Sequence, residues 1–575
     1  MIRRSRTLPL LMLSLAACSA HAAPREPAAD PVLAALRTEL GRARSIVLAE
    51  HERPYFVSLA VHETERWELG AKLGALVESG HERKREAAVD VRVGSYDLDN
   101  SADPERDFME EGIFEPSSVV PLDDTSPVAL RHTLWLLTDL RYKQALASYL
   151  RVKGQRVYRL DDPERQPSFS PAPPVRHLAA RVALAPDRAR WEPLLRRLSA
   201  RLSTDPEVFD SEVSLEVAVE TRWLVTTDGT ELRAVRPTWA IHATGWTRAP
   251  DGMLLDHSLD LYAPTEAQLP DEATLEAAVD RLGRLLADLR AAPVLEPYTG
   301  PAILEGAASG VFFHEVLGHR LEGHRAADDQ DGQTFAKYLG QPILPAFLTL
   351  LDDPTQPSAA GVPLNGAYAF DDEGVAAART LLVDRGVLKS FLNARQPGPG
   401  ADRSNGHGRA QGTRRPVARQ ANLIVQAHAS APAAELKRRL IEEVRRQGRP
   451  FGLIVRDLAG GSTNTSSYGY QAFKGEARTV YKIDVDSGQE TLVRGVDLVG
   501  TPLATLGKIV AASDAVTVFN GFCGAESGMV PVSVVAPAIL FSEVELQRSS
   551  RPRARGPLLP SPVPAPRPVA PEAAR

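Results

Sequence analysis

Phe313-His314-Glu315-Val316-Leu317-Gly318-His319-Arg320-Leu321-Glu322-Gly323 is the stretch around which the rest of the chain orders itself. It ends a short helical pattern over residues 305–320, and most of the chain beyond it alternates like strands. Two imidazoles flanking a carboxylate supply most of what metal-assisted hydrolysis needs. Neutral His can hold zinc with one position left open for water, and a neighbouring carboxylate can take that water's proton. The spacing raises an objection. Histidines four apart on an α-helix lie about 40° from each other, whereas His314 and His319, five apart, would lie about 140° apart. A π-type widening reduces that angle to about 50°, and Gly318 is the residue that permits it. The bare pattern also fits two structural histidines, so the decision falls to the rest of the chain.

Working outward, strands are expected over residues 381–383 and 387–392, then 421–427. Others are expected over 452–458, 476–485, 493–499, 516–519 and 529–546. Between them, residues 432–447 read as a helix with proline in the first turn, where a missing N–H is harmless. N-terminal to the motif, helices are expected over 30–50, 127–153, 186–203 and 271–291. Strands are expected over 55–61, 87–98, 211–219, 239–247 and 254–262, with a hairpin turning at Asp228-Gly229. The fold class is α+β: an N-terminal α+β domain, then a mainly antiparallel β domain carrying the motif helix. The boundaries fall at 1–23 for a leader, 24–295 and 296–547 for the two domains, and 548–575 for a disordered Pro/Arg-rich tail.

The leader bears on function. Arg3, Arg4 and Arg6 precede an apolar run over 8–17 that is too short for a membrane span. Leu15-Ala16-Ala17-Cys18 has the form of a lipobox, in which Cys18 becomes a lipidated first residue and a possible membrane attachment. Ala20-His21-Ala22 fits ordinary signal cleavage. Either reading makes the protein exported, periplasmic or anchored as a lipoprotein. Cys18 and Cys523 are the two cysteines, so the processed chain keeps one thiol and no internal disulfide. A buried inert thiol is one reading of Cys523; occupation by a metal is the other. A net charge of −6 with well-mixed signs argues against nucleic acid as a partner.

The motif stretch, with residues 298–305 before it, resembles the TldD/PmbA family, and specifically its metal-bearing TldD side. Further matching segments come in order: 368–374, 404–409, 475–480, and Gly521-Phe522-Cys523-Gly524-Ala525-Glu526-Ser527-Gly528 running into 530–534. The resemblance implies a zinc metallopeptidase in which His314, His319 and Cys523 hold one Zn2+ and Glu315 activates the metal-bound water. It implies extended or unfolded peptide substrates, and a homodimer or a heterodimer with a PmbA/TldE-like chain. Cys523, with Gly521 and Gly524 nearby, suits a turn that presents a thiolate. The rival is a non-catalytic peptide-binding lipoprotein scaffold on the same fold.

Other segments carry weaker signals. His324 reads as a surface residue or a contact near the site, and Asp371-Asp372-Glu373 as an acidic turn. Gly460-Gly461-Ser462-Thr463 reads as a flexible loop lining the cleft, and residues 404–409 as a turn or a contact for peptide backbone.

Overall fold

The computed structural model describes residues 30–103, 116–156, 166–327, 335–465 and 472–556, with 559 and 562. The expected leader, Cys18 included, lies outside the described residues, as does most of the tail beyond 556.

The N-terminal half is a six-stranded sheet built on two long antiparallel hairpins, Pro54–Lys72 with Ala75–Val93, and Val208–Thr226 with Glu231–Arg248. Among the described residues, one face carries the four α-helices of this half. Val57, Leu59, Val61, Trp223 and Val225 pack under Pro31–Ala43 and Val128–Arg156. Leu69, Val213, Leu215, Val217 and Ile241 pack under Arg188–Leu202 and Glu272–Ala291. These strand positions are all odd-numbered, as the two-residue period of a strand requires. Ala60, Leu224 and Leu232 on the opposite face meet Phe370 of the C-terminal half.

The first hairpin extends well past the two short strands expected there. Residues 62–68 and 77–86 carry charge on both faces and show no apolar alternation. Cross-strand pairs hold them instead: Glu63 accepts from Arg83 at 3.0 Å and Arg85 at 2.7 Å. The Trp67 ring stacks on His81 at 4.5 Å. Leu73 and Gly74, both at positive φ, make the two-residue turn that suits the twist of such a hairpin.

In the C-terminal half, five strands close into a ring: Tyr298–Leu304, Phe451–Thr463, Phe473–Asp484, Val496–Gly500 and Gly528–Arg548, the last pairing back to the first. From Gly528–Arg548 the sheet continues through Asn422–Ala427, Leu348–Asp352 and Thr380–Asp384. Most pairings are antiparallel, as expected, and strand alternation sorts two helices. Ala302, Leu304, Leu453, Val455, Ile539 and Phe541 share a core with the helix Ala307–Phe313. Ile303, Ile454 and Leu540 point the other way, against Ala433–Arg446. Phe312 anchors the first helix, its ring edge-on to Phe473 at 5.5 Å and Phe541 at 5.0 Å. Helix and strand touch closely at Gly310, where a Cβ would lie 2.8 Å from Phe519 Cβ.

The tail expected to be disordered from residue 548 is held in its first part. Leu254 N–H donates to Pro552 O at 3.1 Å and Ala554 N–H to Gly252 O at 2.9 Å. Arg551 pairs with Asp256 at 2.9 Å. The end of the second half therefore straps onto a turn of the first, an interaction that composition alone does not encode. Phe312→Ala should empty the centre of the ring and cost about 3–5 kcal/mol, read as a lowered Tm in thermal unfolding.

Candidate metal centre

The helix Ala307–Phe313 passes directly into one π turn, His314–Gly318, and then a 3-10 turn, His319–Leu321. This is the widening that the five-residue spacing demands. The two imidazole rings meet edge to face, their centroids 4.9 Å apart and their planes at 83°. Cys523 Sγ lies 3.3 Å from His319 Nε2. One donor atom each from His314, His319 and Cys523 falls within 4.8 Å of the others, and all three residues are buried. The structure thus brings together the three predicted metal-holding side chains, and Glu315 lines the same cleft of about 580 Å³.

Gly318 serves the turn by a different route from the one its flexibility suggests. Its backbone is ordinary right-handed helix, φ −52°, ψ −57°, so it uses none of glycine's conformational freedom. What matters is space: a Cβ here would sit 1.8 Å from Gln420 Oε1. Gln420 is buried against the π turn, its Nε2 facing His314 O at 3.5 Å. On the other side Arg320 donates to Glu315 O at 2.9 Å, to Thr463 Oγ1 at 2.5 Å and to Asn464 O at 3.0 Å. The turn is wedged from one side and tied from the other.

Cys523 stands in a strand, Ile509–Ala525, and not in a turn as its glycine neighbours suggested. The turn falls at Glu526-Ser527, between paired Ala525 and Gly528, where Gly528 takes φ 88°. Val530 and Val532 cover the thiol. Burial resists its ionisation, but the two imidazoles outweigh burial and hold it well below the ordinary thiol value. Burial likewise opposes charge on His319, yet Glu322 and Cys523 raise it to about 10. Glu322 Oε2 accepts from His319 Nδ1 at 3.2 Å and from Arg325 Nε at 2.8 Å. Glu315 is pushed upward by burial, with the imidazoles partly offsetting.

The cleft wall facing Glu315 is the strand end Ala459 to Thr463, so the expected loop at 460–463 is strand that does line the cleft. A Cβ on Gly461 would lie 2.3 Å from Glu315 Cγ, so the carboxylate rests on bare backbone. Tyr262 and Asp260 enter the cleft from the N-terminal sheet, with the Tyr262 ring edge-on to Phe522 at 5.8 Å. His324 pairs with Glu526, a lining residue. Asp371 accepts N–H bonds from Glu373, Val375 and Gly408, which makes it an acidic turn. His407 and Arg409 are buried away from the cleft lining. Sequence reasoning missed the roles of Glu322, Arg419, Gln420 and Tyr262. Among these Glu322 alone has a local signal, three residues after His319, where a helical turn brings side chains together.

Fold and site define a class: an α+β protein whose ring-closed sheet carries a His-His-Cys cluster beside a buried carboxylate. Residues 297–548 match the PmbA/TldA metallopeptidase C-terminal domain. Among curated relatives, a metalloprotease of Archaeoglobus fulgidus is 31% identical over 240 residues, covering 41% of this chain and 51% of the relative. A zinc metalloprotease TldD homolog of Saccharolobus solfataricus is 25% identical over 254 residues, covering 43% of this chain and 51% of the relative. The chain spans about half the length of the curated relatives it matches. In fold, TldE from Thermococcus kodakarensis superposes with a TM-score of 0.57 at 14% identity, over 90% of this chain and 100% of that one. In sequence, residues 297–548 are similar to the metallopeptidase domain of the TldD/PmbA family, and the fold is similar to that of TldE.

Gly318→Ala should overpack the π turn and cost about 1–3 kcal/mol. Adding Gln420→Ala should return most of that loss, both measured by thermal unfolding of single and double variants.

Proposed function

We propose that the chain is a zinc-dependent peptidase of the TldD kind, with His314, His319 and Cys523 holding the ion and Glu315 as general base. The observation that carries this reading is the convergence of three donors within 4.8 Å in one cleft with Glu315. The residues fit the metal. His314 Nδ1 is buried with no hydrogen-bond partner among the described residues, and the His319 ring is oriented by a carboxylate on its far nitrogen. Two nitrogens and a sulfur suit zinc, and three protein ligands leave a fourth position open. When bound, the ion supplies Lewis acidity, which lowers the pKa of water and polarises a carbonyl.

The protein's own part derives from the cleft. Glu315 accepts the proton of the attacking water and hands it to the leaving amine; its raised pKa makes it a better base. Gly461 gives the carboxylate room, and Arg320 fixes the backbone from which it projects. Tyr262 and Phe522 form an apolar wall for substrate side chains. The relatives' names support peptides as substrates; an extended or unfolded form is what the family resemblance implies. The family resemblance of the motif segments implies a dimer, with a second copy or a PmbA/TldE-like chain. Export rests on Arg3, Arg4, Arg6 and the apolar run after them.

Metal analysis and cleavage of an unfolded peptide test the proposal. Glu315→Gln should keep the metal and lose about 10²–10⁴-fold in kcat, whereas His319→Ala should lose the metal itself. Equal turnover by wild type and Glu315→Gln would leave the scaffold reading standing. Gly461→Ala, which crowds the carboxylate without touching a ligand, should keep the metal and lower kcat about 10²-fold.

A further inference from the structure

Arg419 is fully buried and reaches both elements that bear the proposed ligands. Its Nη2 donates to Cys523 O at 2.7 Å and to Cys523 Sγ at 3.1 Å. Its Nη1 donates to Ser527 Oγ at 2.8 Å and to Gly528 O at 3.1 Å, across the turn that joins the two arms of the Cys523 hairpin. Its Nε faces Glu322 Oε1 at 3.4 Å, and the other oxygen of Glu322 holds His319 Nδ1. One planar guanidinium thus spans from the sulfur to the carboxylate that orients an imidazole, although Cys523 and His319 are 204 residues apart.

We infer that Arg419 is the positioning residue of the metal centre, fixing the Cys523 thiolate and, through Glu322, the His319 ring at their working separation. The inference rests on the metal reading above. The requirement is for a fork and not only for a charge. The two Nη groups bond the acceptors of the hairpin while Nε faces Glu322 in the same plane, which the single rotating ammonium of lysine does not do. The charge has its own task beside the buried Glu322 carboxylate, whose Oε1 the guanidinium faces at 3.4 Å. Arg325 also pairs with Glu322, but its guanidinium extends from there to Glu526, nearer the cleft mouth, so it does not replace Arg419 at the sulfur. Outer groups of this kind change metal affinity by about 10–100-fold when removed.

The experiment compares wild type, Arg419→Lys and Arg419→Gln for Zn2+ affinity by competition with a chromophoric chelator. The near-ultraviolet sulfur-to-metal band of the Co2+ forms is read alongside, with the Tm of each metal-free chain. The expected result is a loss of affinity of about tenfold for Arg419→Lys and more for Arg419→Gln, with a displaced or weakened cobalt–sulfur band in both. Arg419→Lys keeps charge and bulk, so it reports even where Arg419→Gln does not fold. Zn2+ affinity and cobalt band equal to wild type in Arg419→Lys would overturn the inference, whatever happens to Tm, because a merely structural arginine would move Tm alone. A wild-type chain that takes up neither ion overturns the metal reading beneath it, a separate and distinguishable outcome.

Discussion

On a straight α-helix His314 and His319 would point about 140° apart, and no placement of Cys523 could then reach both. The π turn over His314–Gly318 removes that obstacle, but an isolated π turn is a poor structure that proteins keep only where neighbours hold it. The neighbours here are specific. Phe312 pins the incoming helix between Phe473 and Phe541 inside the closed ring. Arg320 ties the carbonyl of Glu315 to the strand end at Thr463 and Asn464. Gln420 fills the space that a side chain at residue 318 would take. The ring of strands is therefore the frame that holds a rare turn in place, and the widening of that turn is what brings the imidazoles together.

The second constraint is charge. His319, Glu322, Arg419 and Cys523 are all buried, and a buried charge without a partner is costly. They answer one another in sequence: thiol to imidazole, imidazole to carboxylate, carboxylate to guanidinium, guanidinium back to thiol. Because the circuit closes, each member is both stabilised and aimed. Glu315 stands outside it, raised by burial and resting on Gly461, which is the environment a proton acceptor requires and a structural ion pair does not.

Much of this is legible in the sequence because it rests on local pattern. The widened turn comes from counting residues between two histidines, and Cys523 from being one of two cysteines, the other lying in the expected leader. Strand and helix periods carry the α+β class. The features that escape are carried by distance in sequence. Arg419 and Gln420 sit in a stretch with no repeating period, and their partners lie about a hundred residues away on either side. The arms of the first hairpin escape because ionic pairs such as Glu63 with Arg85 replace the apolar alternation that marks a strand. Gly318 points to the right consequence through the wrong cause: the residue supplies room, not an unusual backbone angle.

The cleft is a joint product of the two halves, and its width depends on contacts far from the metal centre. Tyr262 reaches the cleft from the strand Leu254–Ala263 of the N-terminal sheet. That strand is held to the C-terminal half along its length. His257 meets Asp457 at 3.2 Å, and Asp256 is shared between Arg478 and Arg551, each at 2.9 Å. At its start, Leu254 N–H is bonded to Pro552 O. Residues after the last strand therefore brace the wall that faces Phe522, while Arg494, bonded to Ala292 O and paired with Asp251, locks the joint below. The proposed metal centre on one half would work on a substrate only if the opposing wall kept its distance. The ionic strap at the domain boundary is what holds that distance.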